Sequence, residues 1–179
     1  MKDWALTSIF LFTICAGLLF GSIPVKNSNT GKKSSRNIEI NRTRQVSLRK
    51  ILVNNFTVAC LVLLGSITYG FIGLVMVFHS AYVTSIFLFS FALDYGLKYS
   101  LALLLPHGII ELVWLYLLFK ASVKIGGGLF SYLNNGVTPL NQIIYAELRR
   151  SILVAITLIL VSGLIETYLS KEVANLIVN

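Results

Sequence analysis

Acidic residues are scarce in this chain: Asp and Glu together number seven in 179 residues, and all charged residues make up 12%. A soluble domain carries about twice that share, which excludes an ordinary water-facing surface. Cysteine is nearly absent as well. Cys15 and Cys60 both lie inside apolar runs, so neither a disulfide framework nor a cysteine zinc site is available. The Gly126-Gly127-Gly128 run lacks the GK[ST] ending of a phosphate-binding loop, which argues against nucleotide binding, and no HExxH motif occurs.

What is abundant is apolar. Hydrophobic residues make up 56% of the chain and the mean hydropathy is +0.80, the composition of a polytopic membrane protein. A helix needs about 20 apolar residues to cross the hydrocarbon core, and several runs have that length. The expected fold class is therefore all-α, a single integral membrane domain with about five transmembrane helices near 4–25, 51–70, 72–93, 100–121 and 151–170. The first run lacks the N-terminal cations and small-residue cleavage site of a signal peptide and reads as a retained helix. From Ile51 to Leu93 the chain is apolar for about 43 residues, enough for two antiparallel crossings, with the turn either near Gly70 or near His79-Ser80. Gly65, Gly70 and Gly73 either mark that turn or let helices approach closely. After the fourth crossing, glycines, Asn-Asn-Gly and a proline between Lys124 and Gln142 predict the end of the helix.

The net charge of +8 is unevenly placed: eight of the fifteen Lys and Arg lie between Lys26 and Lys50, a polar loop between apolar runs. That reads as membrane topology beside anionic lipid, not nucleic-acid binding. Five crossings put ten cations on the side of this loop and five on the other, which predicts a cytoplasmic loop and an outside N-terminus.

Against this apolar background, His107 and Glu111 stand four residues apart within one predicted helix, hence on one face and about 6 Å apart. Pro106 just before them suits a helix first turn and predicts a broken or re-entrant fourth crossing, and Gly108 would admit a close neighbour. The fourth helix starts, the fifth ends and the second begins on one side of the membrane, so Glu166, Asn54 and Asn55 should meet His107 and Glu111 in the same leaflet. An imidazole with two carboxylates and an open position matches zinc or iron chemistry, with His107, Glu111 and Glu166 as ligands. The plainer alternative is a set of hydrogen bonds that ties helices together.

Pro106-His107-Gly108-x-x-Glu111, an Asn entering the second helix and Glu166 in the last helix resemble the stage II sporulation protein M family over roughly Asn54 to Tyr168. Where members of that family often carry an Asn-Gly turn after the second helix, this chain has His79-Ser80. The resemblance implies one of two roles. One is a non-enzymatic membrane scaffold or transport subunit, as in sporulation engulfment. The other is maturation and secretion of a circular bacteriocin in the cell membrane of a Gram-positive bacterium, beside an ABC transporter and possible as a homo-oligomer. The short, basic, nearly all-membrane chain favours the second. In its enzymatic form, an intramembrane metallopeptidase or peptide ligase would act on the bacteriocin precursor peptide. Zinc would polarise the amide, Glu111 would serve as general base and Asn55 as oxyanion or substrate donor.

Overall fold

The computed structural model describes residues 3–28, 47–136, 145, 149–169, 172 and 176. Five helices there are long and apolar enough to cross a membrane, and no strand occurs among the described residues. They are α1 (Asp3–Ser28), α2 (Leu48–Leu64), α3 (Phe71–Tyr95), α4 (Leu97–Asn135) and α5 (Arg149–Leu164). A 3₁₀ turn, Gly65–Thr68, extends α2, and a π turn, Ile165–Leu169, extends α5. The central part of the basic loop, including the Asn41-Arg42-Thr43 sequon, lies outside the described residues, as does the stretch 137–144.

The long apolar run from Ile51 folds back at Tyr69-Gly70, not at His79-Ser80, which sits within α3. Both turn residues are left-handed, Tyr69 at φ 54° and Gly70 at φ 89°. Glycine adopts that conformation at little steric cost, whereas Tyr69 pays about 1–2 kcal/mol for it. The turn is tied by Gly70 N–H donating to the Gly65 carbonyl at 2.7 Å, and Ile72 N–H donates to Thr68 Oγ1 at 3.1 Å as α3 begins. Gly96 alone separates α3 from α4, at φ 88°.

Two sequence-based expectations fail along α4. The helix is neither broken nor re-entrant at Pro106, which lies inside it. Proline removes one backbone donor, but packing against neighbours offsets that loss often enough in membranes that such helices continue. Nor does the glycine run end the helix, which continues to Asn135 and stops at Gly136 in the left-handed region. Gly126 is there for contact: a Cβ on it would stand 2.5 Å from the Ser66 carbonyl oxygen, where the α2–α3 turn rests on α4. At 39 residues α4 is about 58 Å long, nearly twice the thickness of a hydrocarbon core.

Contacts fix the directions of the helices. Gly17 of α1 faces Phe78 and Ala81 while Gly21 faces Tyr82 and Ser85, so α1 and α3 run parallel. Gly163 of α5 meets Leu48, Ile51 and Leu52 of α2, which places the end of α5 beside the start of α2. The buried centre joins Leu6 and Phe10 of α1, Val62 of α2, Val77 of α3, Trp114 and Leu118 of α4 and Ile159 of α5. Around it, large apolar side chains such as Phe12, Leu19, Val53, Phe71 and Leu153 are exposed, the surface a lipid solvent requires.

Candidate functional site

Asn55 and Glu111 meet. Asn55 lies two turns into α2 on its buried face, with 5% of its surface exposed, and its Nδ2–H donates to Glu111 Oε1 at 3.4 Å across the α2–α4 contact. That distance is longer than the usual 2.7–3.2 Å of a protein hydrogen bond. Asn54, one residue earlier, points outward and is exposed, because a helix turns about 100° per residue. Of the two asparagines named by the sequence, only Asn55 is buried against the glutamate.

Glu166 sits in the π turn that ends α5, half-buried and close enough to Glu111 for the two carboxylates to sense each other's charge. His107, one turn before Glu111 on α4, is 7% exposed. The expected convergence of α2, α4 and α5 is therefore present at one end of the bundle. His79 is not part of it: the imidazole is exposed on α3. Gly108, three residues before Glu111 on α4, has no described residue within 4 Å of a Cβ placed on it.

A catalytic zinc needs three protein ligands converging within about 2 Å of one point. Among the described residues no three His, Cys, Asp or Glu side chains gather closely enough to hold a metal ion. Glu111 and Glu166 lie within electrostatic reach of each other, and His107 stands one helical turn before Glu111. What the arrangement offers is a carboxylate with an amide donor on one side and a second carboxylate within electrostatic range. Such a group can accept hydrogen bonds or a positive charge from a polar segment held inside the membrane.

Sequence reasoning missed Trp114. It is 2% exposed, and its indole Nε1–H has no hydrogen-bond partner among the described residues. Positions 107, 111, 114 and 118 follow the i, i+4, i+7, i+11 spacing of one helix face, so the signal was present. In a helix apolar on all sides, a tryptophan reads as bulk.

Five helices of membrane-spanning length, two of them joined by an acid–amide pair, define a polytopic α-helical membrane protein. The particular family follows from comparison with known proteins: the model for Stage II sporulation protein M matches residues 7–171. An uncharacterized protein of Methanocaldococcus jannaschii is 30% identical over 177 residues, covering 97% of each chain. The chain belongs to the stage II sporulation protein M family. No solved structure matches it.

Proposed function

We propose that the protein is a non-enzymatic subunit of the cell membrane that receives the polar segment of a membrane-inserted peptide at Asn55 and Glu111. The Asn55–Glu111 contact carries this reading. An ionisable side chain within a membrane-spanning helix is rare and is read first as part of a functional site, since an interhelical hydrogen bond returns only about 0.6–2 kcal/mol.

A second reading keeps the same residues for chemistry: maturation and secretion of a circular bacteriocin, with Glu111 as proton acceptor and Asn55 as donor to the peptide carbonyl. The juxtaposition of an acceptor and a donor is the observation that favours it. One experiment separates the two. The protein is produced with a short hydrophobic peptide encoded beside it, and the peptide is weighed by mass spectrometry in cells carrying Glu111→Gln. Peptide of mature mass, recovered with the variant in smaller amount, is the outcome expected of the subunit. Loss of maturation with membrane abundance unchanged would replace that reading with the enzymatic one.

A further inference from the structure

Lipid cannot satisfy every residue that faces it in this molecule. His79 stands on α3 with its imidazole exposed, two residues from Val77 and two from Ala81, both of them buried against the rest of the bundle. A helix turns about 100° per residue, so His79 lies on the opposite side of α3, pointing outward. Among the described residues its ring has no hydrogen-bond partner.

Depth is what makes the position unfavourable. At 25 residues α3 is about 37 Å long, and centred in a hydrocarbon core of about 30 Å it overhangs by about 4 Å at each end. His79 follows Phe71 by about 12 Å of helix, which sets it about 8 Å beneath the hydrocarbon surface. Its side chain is too short to reach water from there, as a snorkelling Lys or Arg would. Ionisable residues at such depth almost always face a protein interior, a water-filled cavity or one another. Hydrocarbon offers neither donor nor acceptor, so the bilayer that covers the surrounding apolar surface leaves this ring unsatisfied. We propose that this face of α3 is the interface of a parallel homodimer, in which the two His79 imidazoles hydrogen-bond to each other beside the two-fold axis.

Three features choose a second copy as the occupant. The first is chemistry: a neutral imidazole carries one donor and one acceptor, so it is complementary to itself. The second is symmetry. A two-fold axis along the membrane normal sets each residue opposite its own copy at the same depth, whereas a different partner would have to match that depth by its own design. The third is the seam in which His79 stands. Ile72, Met76, His79, Val83, Ile86 and Ser90 follow alternating spacings of four and three residues, the repeat of left-handed helix pairs in membranes. All six are exposed or half-buried, and they run along about 27 Å of α3, most of the hydrocarbon thickness. One polar residue in the middle of an apolar seam fixes register, because sliding one helix past the other parts the two imidazoles. Ser90, further along, is again donor and acceptor in one group.

The test uses the purified full chain in liposomes, one population carrying a donor fluorophore and one an acceptor, diluted progressively with lipid. Energy transfer should report a dimer that dissociates on dilution. His79→Leu should weaken it about 3- to 30-fold, the loss of one interhelical hydrogen bond. His79→Gln, which keeps a donor and an acceptor, should restore most of the affinity. Thermal unfolding of His79→Leu in detergent should match that of the parent, which separates weaker pairing from misfolding. Position is read independently: in a Cys15→Ser, Cys60→Ser background, Val83→Cys should cross-link two copies on oxidation of native membranes, and Leu153→Cys, exposed on α5, should not. Energy transfer no greater than that of random proximity at every dilution would overturn the proposal, as would a dimer equally tight with His79→Leu. A Val83→Cys cross-link to a protein of another mass, with none between copies, would overturn it too, since the face would then belong to a different partner.

Discussion

Two helix contacts in this molecule solve the same problem in opposite ways. Between α1 and α3, glycine brings backbones together: a Cβ on Gly17 would stand 2.7 Å from the Phe78 carbonyl oxygen, and one on Gly21 would be 2.7 Å from Ser85 Cβ. The polar group at that seam, Ser85, is fully buried and spends its hydroxyl on a main-chain carbonyl at 2.6 Å. Between α2 and α4, two long polar side chains meet at 3.4 Å, and one of them is ionisable. The first contact is short, satisfied and shape-determined. The second is long and contains an ionisable group of a kind rare within membrane-spanning helices. Lipid gives helices no hydrophobic reason to associate, so close packing of the first kind is what holds such a bundle together, and a contact of the second kind needs another explanation.

If that division is right, the glycine seam should be the more fragile to added volume. Gly21→Leu should destabilise the protein by about 3 kcal/mol or more, because the new side chain meets the Tyr82 backbone, which cannot rotate away. Thermal unfolding in detergent, followed by loss of the monodisperse species, measures this. Gly108→Leu is the matched control, since a Cβ there meets nothing within 4 Å, and it should change the melting temperature little. A Gly21→Leu protein as stable as the Gly108→Leu protein would erase the distinction between seam and surface.

The polar contact should respond to charge more than to volume. Asn55→Ala leaves the Glu111 carboxylate without its amide donor, a loss of about 1–2 kcal/mol. Glu111→Gln removes the ionisable group and should leave stability unchanged or raise it. In the double variant, Glu111→Gln should recover most of what Asn55→Ala loses, and a double-mutant cycle on unfolding free energies reads that coupling directly. Simple additivity would mean that Asn55 supports α2 by some route other than Glu111.

The seam and the pair were unequally legible in the sequence. Five apolar runs gave the number of helices, because length and hydropathy are summed over about 20 residues and survive local irregularity. The shared face of His107 and Glu111, and the meeting of Glu111 with Asn55 where α2 begins, followed from helix period and alternating direction alone. What escaped depends on neighbours. Pro106 and Gly126 are breakers by local propensity, yet α4 passes through both because helices packed on it decide the outcome. Which of Asn54 and Asn55 faces inward depends on rotational phase, and a helix apolar all round gives no moment from which to read it. The close approach of Gly17 and Gly21 to α3 joins residues more than 60 positions apart, so nothing local marks it.

A third contact lies between these extremes and should show the smallest effect. Thr7 Oγ1 and the Tyr116 hydroxyl of α4 hydrogen-bond at 2.8 Å, two neutral groups at an ordinary distance. The Tyr116 ring also receives Phe10 edge-on, with centroids 5.1 Å apart. Tyr116→Phe deletes the hydroxyl and keeps that aromatic contact, so only the hydrogen bond is lost. Between transmembrane helices such a bond contributes about 0.6 kcal/mol on average, because both partners find other acceptors when the helices separate. Tyr116→Phe should therefore lower stability by about that amount, less than half the cost of Asn55→Ala at its upper estimate. Unfolding measured under one set of detergent conditions for both variants gives the ratio. A Tyr116→Phe loss equal to or greater than that of Asn55→Ala would mean that α1 is pinned to α4 by this hydroxyl, and that glycine packing against α3 is not what holds the first helix in place.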